Sequence, residues 1–324
     1  MSVEITFNKI SLLQVPGSFT GNDNYPVVHK NGKTFTAVSV SKESDFEKIS
    51  ENLAHGDSDV FKVKDQSGNL HIVKSTLRRL PVLTTPVEAE MLEKLKHLNI
   101  AHAEGLVLGN HLSQGERKLY FMMKDYECGS LSEHISNIKS FSVALKIIDQ
   151  VASSLVFIHN NGFVHGDLNP DNILLDNSQN AYLTDLGTLK NLWGRGRIKI
   201  DPVGTEGYAP PEQIKGFFST KTDSYSLAIS FLQILTKVSK YEVDELDPLL
   251  TPFADSFKDE IGNKEKALRE IIKAALNKDD NLRITVSALS GQVRNLFRPT
   301  LVPVYYPVYI PDSARRHSKT LVRI

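Results

Sequence analysis

Cysteine is nearly absent from this sequence: Cys128 stands alone among 324 residues. A lone thiol excludes an internal disulfide framework and a cysteine-only zinc site, and it fits a reducing compartment. An excess of charge of either sign is also missing, because Lys plus Arg and Asp plus Glu each total 38. No global field draws the chain toward nucleic acid or a membrane surface, so any charged docking site is local. The opening MSVEITFNKI has no basic run leading into an apolar stretch, and no segment approaches the roughly 20 apolar residues that span a bilayer. The sequence is therefore expected to carry neither a signal peptide nor a membrane anchor, to bind no nucleic acid and to work in the cytoplasm. It has no internal repeat, which excludes a solenoid. His97, His102, His111 and His159 show no metal-ligand spacing and read as structural.

What is present divides the chain into four parts. Residues 1–50 mix β-prone runs with turn signals such as Gly21-Asn22-Asp23-Asn24 and Asn31-Gly32, the pattern of a small strand-rich extension. Residues 51–126 alternate strands and turns around one helical stretch, Val87 to Leu98, as expected of a β-rich lobe. In 127–298 helical periodicity takes over: Ile147, Val151, Leu155 and Ile158 make one apolar stripe of a long helix ending near Asn161-Gly162. In 299–324, prolines at 299, 303, 307 and 311 interrupt an apolar and aromatic run before a basic end, so this tail is no continuous helix. The fold class is α+β, with a small β-rich part and a large helical one.

The stretch HNNGFVHGDLNPDNILL puts polar residues on a loop between packed elements. Asp167 and Asn172 are close enough for one to accept a hydroxyl proton while the other offers an amide oxygen to magnesium, a hard cation that wants oxygen ligands. A second acidic ligand follows at Asp185 in AYLTDLGT. Phosphoryl transfer asks little covalent chemistry of a protein. Two carboxylates, an amide and a lysine suffice to position the reactants and neutralise charge.

These residues resemble the eukaryotic-type Ser/Thr protein kinase family. HGDLNPDN is similar to its HRDLKPxN catalytic loop and DLG to its DFG turn. GTEGYAPPE (204 to 212), TDSYSLA (222 to 228) and Arg283 in DDNLRIT follow in family order. The resemblance covers about Leu53 to Phe297 and implies a bilobal kinase fold that uses ATP with Mg²⁺, or Mn²⁺ in its place. Asp167 is then the catalytic base, Asn172 and Asp185 hold the metal, and His165 packs beneath the site. Lys74 in LHIVKS matches the lysine on the α/β-phosphates, with Glu88 as its partner and Glu90 next in line. Gly56 remains from the glycine-rich loop, Met123 is the gatekeeper, and Lys124 to Tyr126 form the adenine-binding hinge. Glu212 is expected to pair with Arg283, Asp223 to brace the catalytic loop, and Thr205 to stand against the catalytic residues as in Ser/Thr kinases. The implied partner is a protein substrate, with autophosphorylation of the chain itself as a further outcome.

The departures carry expectations of their own. Ala54 and Asp59 stand where the family has glycines. That loosens the phosphate cradle and favours a pseudokinase scaffold as the alternative. Gly166 replaces the arginine that in the family pairs with a phosphorylated activation loop, so activity is expected not to depend strictly on that phosphorylation. Asn169 replaces a lysine that helps neutralise the γ-phosphate. A third reading, a small-molecule phosphotransferase, rests on HGD and is opposed by APPE, TDSYS and Arg283. The HGD glycine and the short extension resemble bacterial kinases, including some delivered into a host cytosol.

Overall fold

The computed structural model describes residues 46–49, 58–76, 95–101, 103–110, 117–192, 194–239, 242–243 and 246–297, together with the backbone of short strands at 4–7, 10–13, 28–30, 33–35 and 40–42. Gly56, Glu88, the helix expected from Val87 as far as residue 94, and the tail lie outside the described residues.

The first strands, β1 (Glu4–Phe7), β2 (Ile10–Leu13), β3 (Val28–Lys30) and β4 (Lys33–Phe35), form an antiparallel sheet in chain order. A second sheet joins β5 (Val40–Lys42), β6 (Phe46–Lys48), β7 (Ser58–Asp65), β8 (Leu70–Thr76), β9 (Ala103–Asn110) and β10 (Arg117–Lys124) in the order β5-β9-β10-β8-β7-β6. Pairing is antiparallel except between β5 and β9. This sheet therefore includes residues 40–42 and 46–48, which the sequence assigns to the extension. Alternation explains its buried face: Phe61 and Val63 on β7 point the same way and pack with Val73 and Met122. The β7–β8 turn closes because Asp65 Oδ1 accepts from the Ser67 and Asn69 backbone N–H groups while Gly68 adopts φ +88°.

The helical part is built on α1 (Phe141–Asn160), whose buried side chains include Ile147, Val151, Leu155 and Ile158, the stripe read from the sequence. Its N-terminal N–H groups are capped from a distance: Glu260 Oε1 accepts from Phe141 N at 2.8 Å and Oε2 from Ser142 N at 2.9 Å. Its end is set by Gly162 at φ +82°, whose N–H donates back to His159 O. Packed around it are α2 (Thr220–Thr236), α3 (Asp255–Ile261), α4 (Glu265–Ala275) and α5 (Val286–Phe297). With the β-rich region before residue 125 and the helical region after it, the chain has the α+β, two-lobed plan.

Two expectations are corrected here. Leu95–Leu98 lie in a bend and turn rather than a helix, because Ile100 N donates to His97 O and Asn99 N to the His97 ring. And α1 has the length and apolarity of a bilayer span, contrary to the reading that no segment approaches one. In this fold its apolar face is buried in the core.

Candidate active site

The loop that carries Asp167 is held between two short antiparallel pairs, Phe163–Val164 with Lys190–Asn191 and Ile173–Leu175 with Ala181–Leu183. A one-turn helix, Pro170–Asn172, begins with Asn169 capping the Asp171 N–H at 2.9 Å. From beneath, Asp223 in the first turn of α2 accepts from His165 N and Gly166 N, both at 2.9 Å, and from His159 Nε2 at 2.8 Å. Burial works to raise the Asp223 carboxyl, but the His159 contact, the nearby His165 ring and the Gly166 N–H hold it below its ordinary value. His165 is fully buried with Nε2 at 3.0 Å from Thr184 O, which locks the ring under the site. His159, read from the sequence as structural, is thus a specific part of this brace.

At the surface of this platform the polar side chains converge. Thr205 Oγ1 donates to Asp167 Oδ1 at 2.7 Å, and Asn169 Nδ2 donates to Thr205 Oγ1 at 3.0 Å. Asn172 Nδ2 donates to Asp167 O at 2.8 Å, which leaves its oxygen as the end for a cation. Asp185 stands at φ +61°, a left-handed backbone that turns its carboxylate back toward the strands. There Lys74 Nζ donates to Asp185 Oδ1 at 2.8 Å, which links β8 to the loop after Ala181–Leu183. Burial works to raise the Asp185 carboxyl, yet the Lys74 ammonium and His165 keep it below its usual range. Burial pushes Asp167 above its usual range against the Thr205 hydrogen bond and His165, and the Asp185 charge adds to the rise. Two carboxylates of one site are thus driven apart, one toward a proton acceptor of raised affinity and one toward a permanent anion. Lys190 is half-buried close by; burial lowers its ammonium while the Asp167 charge opposes that shift.

Of the remaining expected residues, those among the described ones are placed as follows. Met123 is buried on β10 opposite Ile72, Lys124 is exposed, and Tyr126 is buried with its ring 4.4 Å from that of Tyr182. Lys62 fastens Asp125 in the hinge at 2.7 Å. Arg283 makes a fork to Glu212, at 2.5 and 2.9 Å, with both side chains buried. The partner the structure gives Lys74 among the described residues is Asp185, whereas Glu88 lies outside them. Among the described residues no group of three or more His, Cys, Asp and Glu side chains could hold a metal by itself. A divalent cation here would draw on Asp185, Asn172 and oxygens of a bound phosphate, a hard-oxygen set that suits magnesium.

The order of these elements meets an independent finding: a sequence model of the protein kinase domain matches residues 52–293. The chain belongs to the protein kinase domain family. Among curated proteins, this kinase domain is similar to an Aurora kinase of Schizosaccharomyces pombe, 27% identical over 187 residues that cover 56% of the chain and 52% of that protein. A probable serine/threonine-protein kinase of Dictyostelium discoideum is 29% identical over 222 residues, 61% of this chain and 43% of its own. A G-type lectin S-receptor-like serine/threonine-protein kinase of Arabidopsis thaliana is 31% identical over 163 residues, 46% of this chain and 19% of that protein. The chain thus spans about half, or less, of the length of these relatives.

Sequence reasoning missed two contributors to this kinase site. Asn169 read only as a lost lysine, but it bridges Thr205 and the Asp167 backbone. Gln213, beside Glu212 in APPEQ, read as nothing, yet its side chain contacts the catalytic loop. No spacing or composition marks either one; both are visible only once the loops meet.

Proposed function

We propose that this kinase domain transfers the γ-phosphoryl group of Mg-ATP to Ser or Thr hydroxyls of proteins, without strict dependence on phosphorylation of its own activation segment. The observation that carries the reading is the contact of Thr205 with Asp167, beside the Lys74–Asp185 pair and the Asn172 amide. Asp167 is half-buried with raised proton affinity, so it is suited to accept the proton of an incoming hydroxyl. Thr205 and Asn169 hold its carboxylate from the acceptor side, which fixes its direction without neutralising it. Lys74 supplies a point charge at the mouth of β8, where the α/β-phosphates would lie, and Asp185 orients that ammonium. When bound, the metal ion supplies charge neutralisation at the phosphates, held by Asn172 and Asp185. Independence from activation-segment phosphorylation is supported by Gly166, which has no side chain to clasp a phosphate.

The test is transfer of labelled γ-phosphate from Mg-ATP to the protein itself and to generic basic proteins, wild type against Asp167→Ala. The expected result is labelled phosphoserine or phosphothreonine that vanishes with the variant and with chelation of the metal. A folded wild-type chain that labels no protein at millimolar ATP overturns the proposal.

A further inference from the structure

The activation segment runs a defined course with no arginine at 166 to anchor it. Ile198–Lys199 pairs with Phe217–Phe218, and Ile200 N donates to Gly216 O at 2.9 Å. The Arg197 guanidinium lies over the Phe217 ring at 4.4 Å and meets Asp280 at 3.2 Å. These contacts hold the outer part of the segment. The part next to the base is held by the Thr205–Asp167 contact and by Gln213, which is 1% exposed in the one-turn helix Pro211–Ile214.

Gln213 Nε2 donates to Gly166 O at 2.7 Å and to Val203 O at 2.6 Å. Both neighbours are carbonyl oxygens, so only the nitrogen end of the amide satisfies them. Gly166 directly precedes the base Asp167, and Val203 lies two residues before Thr205, which touches that base. The backbone is brought hard down on this amide: a Cβ added at Gly204, at φ +136°, would fall 2.1 Å from Gln213 Nε2. The other end of the amide is buried with no hydrogen-bond partner among the described residues. An unpaired buried acceptor is costly, and that cost is offset by the two bonds the nitrogen end makes.

We infer that Gln213 is a positioning residue whose side-chain amide ties the catalytic loop at Gly166 to the activation segment at Val203, so that the unmodified chain has the latch which a phosphate clasped by an arginine would otherwise provide. The inference rests on the kinase reading and concerns regulation of that same site. Gln213 touches no reacting atom; it acts through the relative placement of Asp167 and Thr205.

The experiment compares phosphatase-treated wild type with Gln213→Met, which keeps the length of the side chain and removes both donors. The variant strands the Gly166 and Val203 carbonyls and relieves one unpaired oxygen, so its melting temperature is expected to fall by about 3–8 °C. Hydrogen exchange of the peptide covering residues 195–206 should quicken about tenfold, and kcat/KM for a protein acceptor should fall about 10- to 100-fold with KM for ATP unchanged. Exchange and acceptor kinetics both within twofold of wild type overturn the latch. So does a loss of rate when wild type is dephosphorylated, and so does a variant that melts far lower with ATP and acceptor kinetics failing together. A wild type that transfers no label defeats the kinase reading, while the exchange measurement still decides the latch.

Discussion

Replacing Asp223 with asparagine keeps its volume and changes only which atoms accept. The carboxylate takes three hydrogen bonds: Oδ2 from His159 Nε2 and His165 N, and Oδ1 from Gly166 N. An amide with its oxygen on the His159 side keeps two of them and turns an NH₂ group toward the Gly166 N–H, donor against donor. The other orientation sacrifices two. Each bond to a buried charged group is worth about 1.5–3 kcal/mol, and a stranded N–H adds a desolvation cost, so Asp223→Asn should lose about 2–4 kcal/mol of folding stability. For a domain of this size that is roughly 5–15 °C in melting temperature. Gly166 directly precedes Asp167, so the Asp167 carboxylate moves with the broken brace. A displacement near 1 Å costs on the order of a hundredfold in rate. The sign of the pH dependence is set as well. The Asp223 carboxyl is depressed in the fold, so its contribution is complete above its unfolded pKa, about 3.9, and disappears as pH falls through the lower folded value. The gap between wild type and variant should therefore be full at pH 7 and narrow below pH ~4. Urea unfolding at several pH values, with labelled-phosphate transfer at neutral pH, checks both halves. A variant within about 1 kcal/mol of wild type at pH 7, with transfer within about threefold, would refute the claim that this carboxylate sets the loop.

Arg283→Ala leaves Glu212 as an uncompensated buried anion and strands the Lys221 and Asn277 carbonyls that Arg283 also serves, so unfolding should become easier by about 3–5 kcal/mol. Equilibrium unfolding in urea reads this directly, and a loss under about 1 kcal/mol contradicts it. Gly166→Arg places a side chain at φ +74°, with its Cβ 3.4 Å from Lys190 Cγ and from a Phe218 ring carbon. The left-handed backbone should cost about 1–2 kcal/mol by thermal melting, without making transfer dependent on activation-segment phosphate; a variant that is inactive until phosphorylated would show that position 166 alone decides this regulation.

The parts of the site that a sequence can show are those in which chemistry forces residue type and spacing together. Asp167, Asn172 and Asp185 lie within nineteen positions of one another on a loop and the turn after a short strand, so they stand out as a candidate metal and proton-transfer set before any fold is known. The α1 stripe is legible for a similar reason, since burial on one face imposes a period of 3.6 residues. The pairing of Arg283 with Glu212, implied by the family resemblance, joins residues 71 positions apart in the sequence. The tertiary structure alone decided the rest. It placed Lys74 on Asp185, joined strands from residues 40–42 and 46–48 to the main sheet, and turned Leu95–Leu98 away from a helix. It also brought His159 under Asp223 and Gln213 between two backbone carbonyls. A histidine and a glutamine carry no periodicity and no motif. Their roles come from which carbonyl or carboxylate lies 3 Å away, and that distance exists only after distant segments have packed.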